Sequence, residues 1–230
     1  FRFNYSELTG CSLLIDIGAR TTNLLFVEPG KVFSRSIPIG GSSITSAIAK
    51  EFNEPFSAAE LRKKHDGFVS LGGAYAEATD PEIARVSKLV RNTMTRLHAE
   101  VARSISFYRT QQQGSQPQRV FLSGGTVSTP YMREFFHEKL QWPIEFFNPL
   151  RNVAVAASVA IDEVSRSAHM LGELVGLAPR STTTCPMELN LRPANAVRQH
   201  LLDQRLPFSV RAGPCFGPGV IGRGFGLLLG

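Results

Sequence analysis

The chain has 230 residues, 43% of them hydrophobic, which is enough for one large domain or two small ones. No stretch reaches the roughly 20 apolar residues that a membrane-spanning helix needs, and no secretory signal pattern opens the sequence. The formal charge of +6 is uneven, because residues 1–164 carry 18 Lys and Arg against 16 Asp and Glu, whereas residues 165–230 carry 7 against 3. The larger part is therefore close to neutral, which argues against a nucleic-acid-binding face there.

The first residues and the cysteines give little structural signal. Residues 1–11 are predicted to be a frayed lead-in, and because the sequence opens on Phe1 rather than Met we expect a piece of a longer or processed protein. Cys11, Cys185 and Cys215 lie far apart with no paired spacing. This spacing argues against a zinc site or a disulfide framework and favours a reducing compartment.

The stretch Ser12–Val27, SLLIDIGARTTNLLFV, carries the first candidate site. A buried strand is predicted at Ser12–Ile17 with Asp16 near its end, and a turn with Gly18 and the hydroxyls of Thr21 and Thr22 follows. Glycine lets backbone N–H groups approach an anion, threonine adds donors, and an aspartate can hold Mg²⁺ through water. An ordinary β-hairpin with a polar turn explains the same residues.

Two more strands are predicted at Asn23–Glu28 and Lys31–Ile37, separated by a Pro-Gly turn. The chain therefore begins with an antiparallel meander, which is not how a Rossmann nucleotide-binding unit starts. Gly40 and Gly41 then precede an amphipathic helix. They either bring the backbone close to a ligand or form the turn into the helix.

A second short helix follows, and it opens with capping-box spacing from Ser57 to Glu60. Glu60 and Lys63 lie three residues apart and therefore share one face of this helix. A solvated ion pair is the usual explanation of such a pair, and contact with a ligand is the functional alternative.

A long helix is predicted after Pro81, because apolar residues recur there every three or four positions. This pattern indicates a buried core stripe rather than a cofactor site. Its members are Ile83, Val86, Val90, Met94, Leu97, Val101, Ile105 and Tyr108.

The next elements alternate between strand and helix. A strand at Arg119–Leu122 leads into Gly124, Gly125 and Thr126, and a strand–loop–helix with a Gly-Gly turn suits a nucleotide base or ribose. The remaining predicted elements are a helix over 129–140, a strand at Ile144–Phe147 and a well-buried, Ala- and Val-rich helix over Asn152–Ser165.

Regular patterning stops after Ser165. Residues 166–186 are predicted to be a polar linker and residues 194–230 a disordered tail rich in glycine and proline. Between them, residues 187–193 (MELNLRP) form a short alternating segment with Leu189 and Leu191 on one side.

Taken in order, these motifs resemble the actin-like ATPase superfamily. LIDIGARTTN resembles its second phosphate loop and VFLSGGT its adenosine loop, while IPIGGSSIT followed by AAELRKK resembles the branch of pilus and division proteins. With FFNPLRNV, which resembles a closing strand and helix, the likeness over about residues 12–165 is to the type IV pilus assembly family PilM. It implies an α/β, actin-like (ribonuclease-H-like) five-stranded mixed sheet flanked by helices, in which residues 44–75 form an inserted helical subdomain.

The resemblance also implies ATP and Mg²⁺ as cofactors and assigns roles to residues. Asp16 would lie near Mg²⁺, with the turn after it around the phosphates. Glu60 and Lys63 would contact ribose or base, with Lys64 the alternative if the helix register shifts by one, and the Gly-Gly turn would back the adenosine. The implied binding set is Asp16, Gly18, Ala19, Thr21, Thr22, Gly40, Gly41, Glu60, Lys63, Gly124, Gly125 and Thr126.

Members of this superfamily have a comparable first half with its own phosphate loop and acid, and this sequence does not contain that half. We therefore expect the second lobe of an ATP-binding scaffold with slow or no hydrolysis by itself. The resemblance implies a cytoplasmic protein that associates with the inner membrane through partners.

The segment MELNLRP resembles the amino-terminal peptide of PilN, the membrane partner that docks onto PilM. The expected partners are a PilN-like protein, other pilus machinery and a second copy of the chain, and no nucleic acid is expected. Two alternatives stay open, namely a cell-division actin homologue of the FtsA type and a sugar-kinase-like phosphotransferase lobe.

Overall fold

The computed structural model describes residues 1–71, 80–156, 159–178 and 193. Within them the strands are β1 (Ser12–Ile17), β2 (Thr22–Glu28), β3 (Lys31–Ile37), β4 (Arg119–Ser123) and β5 (Ile144–Phe146). They form a single five-stranded sheet with the order β3-β2-β1-β4-β5. The first three strands form an antiparallel meander, and β4 and β5 extend it in parallel with β1. The predicted five-stranded mixed sheet, which begins with an antiparallel meander, is confirmed.

Helices connect and flank these strands. They are α1 (Gly41–Phe52), α2 (Phe56–Asp66), α3 (Pro81–Thr110), α4 (Met132–Leu140), α5 (Ile161–Ser167) and α6 (Gly172–Leu177). Among the described residues, α1 packs against both α2 and α3. Two 3-10 turns, Gly125–Ser128 and Ala168–Met170, follow β4 and α5 respectively. None of the helices in the described part of the chain has both the length and the hydropathy that crossing a membrane requires.

The longest helix, α3, begins and packs as its sequence predicts. The side chain of Asp80 accepts a hydrogen bond of 2.7 Å from the backbone N–H of Glu82, and Pro81 occupies the first helical position. Along the helix, every member of the predicted stripe from Val86 to Tyr108 is buried. This stripe packs onto the sheet and forms the centre of the core.

The main core lies on one face of the sheet. Leu13, Ile15 and Ile17 alternate along β1 and point into it, because successive strand residues face opposite sides. Ile44 of α1 and Ala59 of α2 are buried in the same core. The subdivision of residues 44–75 as a separate subdomain stays a prediction, and residues 72–75 lie outside the described residues.

The opposite face of the sheet is covered by the first residues of the chain. The rings of Phe1 and Tyr5 stack at 5.2 Å between centroids, and Tyr5 lies 4.7 Å from Phe121 of β4. Tyr5 keeps only 8% of its surface exposed, and Phe147 completes the cluster. The prediction of a frayed lead-in is therefore wrong, because these aromatic residues bury a large apolar area against the sheet.

Tyr5→Ala should destabilise the protein by about 3 kcal/mol, because truncating a buried aromatic residue leaves a cavity beside Phe121 and Phe147. The matched control is Phe3→Ala in the same segment, since Phe3 is 48% exposed and should lose little. Chemical denaturation of both variants measures the difference. Equal free energies of unfolding for the two variants would contradict the packing role of the segment.

The helix predicted over residues 152–165 is also wrong in its first half. Residues 151–156 contain a turn followed by chain without regular secondary structure, and α5 begins only at Ile161. The backbone N–H of Asn152 donates to Asn4 Oδ1 at 3.0 Å, and its side-chain amide donates to Phe3 O at 2.9 Å. These bonds hold the chain against the lead-in. Val153 and Val155 are partly buried and Val159 is 42% exposed, so these valines are less buried than the predicted helix requires.

The first part of the predicted linker has regular secondary structure. Residues 166–178 contain the end of α5, a 3-10 turn and α6, and Ala168 is buried. The carbonyl of His169 accepts hydrogen bonds from Gly124 N–H at 3.1 Å and from Ser123 Oγ at 2.8 Å, so this stretch is bonded to the end of β4. The rest of the predicted linker (179–186), Leu189 and Leu191 of the MELNLRP segment, and the tail from 194 lie outside the described residues.

Candidate functional site

Hydrogen bonds join three chain segments at the carboxyl ends of β1 and β4. These segments are the turn after β1, the start of α1 and the turn after β4. The turn after β1 is closed by a 3.0 Å hydrogen bond from Gly18 N–H to Thr21 O. Two N–H groups at the start of α1 donate into this turn, from Gly41 to Gly18 O at 3.0 Å and from Ser42 to Ala19 O at 2.7 Å. The amino terminus of α1 and the first turn therefore form one unit.

Gly40 must be glycine because of how closely α1 approaches that turn. A Cβ atom at this position would lie 2.7 Å from both the Gly18 and the Ala19 carbonyl oxygens. Such distances between a methyl carbon and fixed backbone oxygens do not occur in folded proteins without displacement. The Gly-Gly pair thus brings backbone close to backbone, and the ligand-contact interpretation of this pair stays a prediction.

The turn after β4 joins the same unit from the other side. Thr126 Oγ1 donates to Gly18 O at 3.0 Å. Gly124 adopts φ +92°, and a Cβ there would lie 2.5 Å from Ile17 O and 2.6 Å from Asp16 Oδ1. Only glycine combines this conformation with this approach, and it sets the turn directly against the end of β1.

Asp16 lies at that junction and is half buried. It is paired across the sheet with Asn23 of β2 and Ser123 of β4. Burial raises the pKa of Asp16, and the negative charge of Glu173 raises it further, while hydrogen bonds with Asn23 and Ser123 oppose the rise. A nearby cation would remove this penalty and favour the ionised form.

The donor set at Asp16 suits Mg²⁺ only together with a phosphate ligand. In the described part of the chain there is no cluster of three or more His, Cys, Asp or Glu residues that could hold a metal ion. Mg²⁺ keeps much of its water and is commonly held by one or two carboxylates and substrate phosphates. A single aspartate fits that pattern and does not fit an all-protein cage.

The pair Glu60 and Lys63 is bonded to the start of α1. Lys63 Nζ donates to Glu60 Oε2 at 2.7 Å, to Thr45 Oγ1 at 3.0 Å and to Gly41 O at 3.3 Å. An ammonium has three N–H donors, so all three are used within the protein. The Lys63 side chain is only 14% exposed, which is unlike a solvated ion pair. Lys64 is 70% exposed and lies 3.7 Å from Glu60 Oε1.

Glu60 is held in its ionised form by these neighbours. Burial by itself would raise the pKa of Glu60, but hydrogen bonds from Lys63 and Thr45 and the charges of Lys63 and Lys64 lower the pKa below its ordinary value. The carboxylate is therefore ionised at neutral pH.

These segments enclose a cavity of about 570 Å³, within the size range of small-molecule sites. It brings together six residues of the predicted set: Ala19, Gly41, Glu60, Lys63, Gly125 and Thr126. Four further residues of the predicted set do not line the cavity but lie in or beside the adjoining turns. They are Asp16, Gly18, Gly40 and Gly124. Thr21 is exposed on the turn, and Thr22 is buried with its hydroxyl donating to Ile39 O at 2.7 Å.

The predicted set lacks several residues of this site, among them Gly67 and residues 128–130 of the lining. Ser42 and Phe56 line the cavity, and Thr45 is fully buried beside the Glu60–Lys63 pair. Thr45 lies four residues after Gly41, so helical spacing places it one turn above the Gly-Gly pair. That spacing, together with a polar residue on the apolar face of α1, was the available signal.

A second cavity of about 820 Å³ lies on the other side of residues 128–130. Its lining includes Tyr131, Phe146, Val153 and His169, and it contains none of the predicted site residues. The smaller cavity is the better candidate, because the glycine turns and the charged pair converge there.

Comparison with known proteins identifies the fold. The PilM–PilN type IV pilus biogenesis complex has a TM-score of 0.64 and 25% identity, covering 78% of this chain and 48% of that chain. MreB 5 of Spiroplasma citri bound to AMPPNP has a TM-score of 0.51 and 16% identity, covering 87% and 57%. MreB5 of the same organism bound to ADP has a TM-score of 0.50 and 19% identity, covering 64% and 52%. The two MreB structures support the actin-like α/β fold alone.

This chain spans about half the length of these solved structures. No curated protein matches the sequence. A family model described as "Type IV pilus assembly protein PilM" matches residues 4–182, which is most of the chain. The chain therefore belongs to the PilM family of type IV pilus assembly proteins and has an actin-like fold.

Proposed function

We propose that the chain is an adenine-nucleotide-binding scaffold that acts in type IV pilus assembly. The observation that carries this proposal is the convergence of two glycine turns, the start of α1 and the Glu60–Lys63 pair around one cavity. The family match and the likeness to a PilM–PilN complex support the pilus role over the division-actin and sugar-kinase alternatives.

The nucleoside would lie in the cavity between α2 and the turn after β4. Glu60 is an ionised acceptor suited to ribose hydroxyls, and Gly125 and Thr126 offer a backbone surface for the adenosine. Lys63 supports Glu60 from behind, because its own donors are already used. The structures of MreB5 with ADP and with AMPPNP support an adenine nucleotide as the ligand class.

The phosphates would extend toward the Gly18–Thr21 turn and Asp16. Backbone N–H groups in a glycine turn form an anion-binding concavity, and Thr21 adds an exposed hydroxyl. Mg²⁺, held by Asp16 through water and by the phosphates, would neutralise the phosphate charge. Gly18 contributes by geometry, since its N–H closes the turn.

We assign this chain a binding role rather than catalysis by itself. Phosphoryl transfer depends on positioning and electrostatic stabilisation, and ATPases of this fold clamp the nucleotide between two lobes. This chain would supply the nucleotide contacts of one lobe, because it spans about half the length of the two-lobed structure that it resembles. Nucleotide binding to this chain alone should therefore be weak, and hydrolysis slow or absent.

The proposed partner is a PilN-type protein of the inner membrane. The PilM–PilN complex among the matched structures supports this partner class, and with it we propose a cytoplasmic location at the inner membrane. We propose that residues 187–193, MELNLRP, act as a docking segment of the kind PilN supplies, with main-chain bonds giving affinity and alternate side chains giving specificity.

Titration with ATP tests the nucleotide site. Asp16→Ala should abolish the difference between binding in Mg²⁺ and binding in EDTA, because the variant lacks the carboxylate that holds the ion. Lys63→Ala should weaken ATP binding about tenfold in both conditions, because a charged hydrogen bond that supports Glu60 is lost. Isothermal titration calorimetry or NMR titration of the chain provides the affinities.

The control for these variants is Glu138→Ala, which removes an exposed acid on α4 away from the cavity and should leave both affinities unchanged. ATP affinities that are the same in wild type, Asp16→Ala and Lys63→Ala would refute the site assignment.

A further inference from the structure

Thr45 is a buried hydroxyl at the centre of the proposed nucleoside site. Its side chain lies on α1 and is fully buried, with Oγ1 at 3.1 Å from Gly41 O, 2.6 Å from Glu60 Oε2 and 3.0 Å from Lys63 Nζ. A threonine in a helix often bonds the carbonyl four residues earlier. The two charged neighbours from α2 make this threonine different from that ordinary case.

The numbers of donors and acceptors determine the direction of each hydrogen bond at Thr45. A hydroxyl has one proton to donate and two lone pairs, and Lys63 has only donors, so Thr45 accepts from Lys63. The remaining choice for its proton is Gly41 O or Glu60 Oε2. The carboxylate oxygen is closer, and 2.6 Å is typical of a charge-assisted O–H···O⁻ bond. Thr45 therefore donates to Glu60.

This pattern divides the two oxygens of Glu60 between different tasks. Oε2 receives Thr45 at 2.6 Å and Lys63 at 2.7 Å. Within the described residues, the nearest charged partner of Oε1 is the exposed Lys64 Nζ at 3.7 Å, beyond hydrogen-bond distance. One oxygen is fixed by the protein, and the other is available on a side chain that lines the cavity.

We propose that Thr45 is a positioning residue of the nucleoside site. Its hydroxyl holds Glu60 in a single orientation, with Oε2 turned to the protein and Oε1 presented to a ligand that carries a vicinal diol, such as a ribose. This inference rests on the proposed function. It adds that Thr45 orients the Glu60 oxygen that accepts hydrogen bonds from the ribose hydroxyls. Lys63 and Thr45 act together, because each bonds the same oxygen.

The test compares Thr45→Val, which keeps the shape and loses the hydroxyl, with Thr45→Ser, which keeps the hydroxyl. The chain is titrated with ATP and with 2′,3′-dideoxy-ATP, which lacks the diol. Thr45→Val should weaken ATP binding about tenfold and change dideoxy-ATP binding little, while Thr45→Ser should bind both ligands as the wild type does. A general structural defect would weaken the two ligands equally.

A second readout needs no nucleotide. NMR titration of the Glu60 carboxyl should show a higher pKa in Thr45→Val than in the wild type or in Thr45→Ser, because a hydrogen bond to the ionised form is lost. If Thr45→Val fails to fold, as judged by its thermal transition, Thr45→Ala replaces it in both measurements.

The two hypotheses fail in different ways. If the wild type does not bind ATP, or binds ATP and dideoxy-ATP equally, the proposed ribose contact is wrong, and the Glu60 pKa comparison still decides whether Thr45 holds this carboxylate. If Thr45→Val binds ATP as the wild type does, loses both ligands equally, or leaves the pKa of Glu60 unchanged, the positioning role of Thr45 is overturned.

Discussion

Gly124→Ala is expected to destabilise the protein by roughly 3 kcal/mol or more, a large effect for the addition of one methyl group. The residue has φ +92°, which costs an alanine conformational energy, and the new Cβ would meet Ile17 O at 2.5 Å and Asp16 Oδ1 at 2.6 Å. Relief requires separation of the β4 turn from β1. The free energy of unfolding, measured by chemical denaturation, tests the prediction.

Gly30→Ala is the matched control, because Gly30 also has a positive φ (+74°) but has nothing within 4 Å of the position of a Cβ. This substitution should lower the free energy of unfolding by only about 1–2 kcal/mol, which is the cost of the left-handed conformation alone. Equal losses for the two variants would mean that the close approach at Gly124 contributes nothing. A Gly124→Ala protein that unfolds like the wild type would contradict the geometry of the junction.

A MELNLRP peptide is expected to bind a two-lobed PilM, and Leu189→Asp or Leu191→Asp should each abolish the binding. The two leucines alternate along the segment and so share one side when it is extended. Docking would bury that side, and an unpaired carboxylate cannot be buried without a large free-energy penalty. Fluorescence anisotropy with a labelled peptide gives the affinities.

Asn190→Asp is the control for the peptide, because it adds the same charge at the position between the two leucines. This variant should keep most of the affinity of the original peptide. Leucine variants that bind as well as the original would refute the docking role of the segment, and equal losses in all three variants would show that charge rather than side-chain position decides binding.

The sheet was predictable because its strands carry their own signals. Apolar runs bounded by turn residues placed β1 and β3 at their observed limits, and the turn glycines marked where β1 and β4 end. The helix predicted at Asn152 had a suitable composition, but Asn152 is instead hydrogen-bonded to Asn4 and Phe3 at the start of the chain. The lead-in around Tyr5 had no periodicity at all, and its order comes from contacts with β4 and with the residues after β5. Both errors concern partners distant in the chain.

The site was predictable in its backbone and less so in its side chains. Glycine spacing identified the turns because a close backbone approach permits no other residue. The hydrogen bonds of Lys63 to Thr45 and Gly41 depend on the distance between α2 and α1. The local sequence does not determine that distance. For the same reason Thr45 looked like any polar residue of an amphipathic helix, although its hydroxyl bonds both members of the charged pair.

The parallel pairing of β1 with β4 has a consequence for how the protein folds during synthesis. The meander β1–β2–β3 pairs residues close in the chain and can form early, but the partner of Ser12 on the other side is Arg119. At typical translation rates, roughly a hundred residues take about 5–20 seconds, and for that time the inner edge of β1 has no strand beside it. The growing chain is therefore most exposed to wrong pairing, or to capture by a chaperone, before β4 emerges from the ribosome.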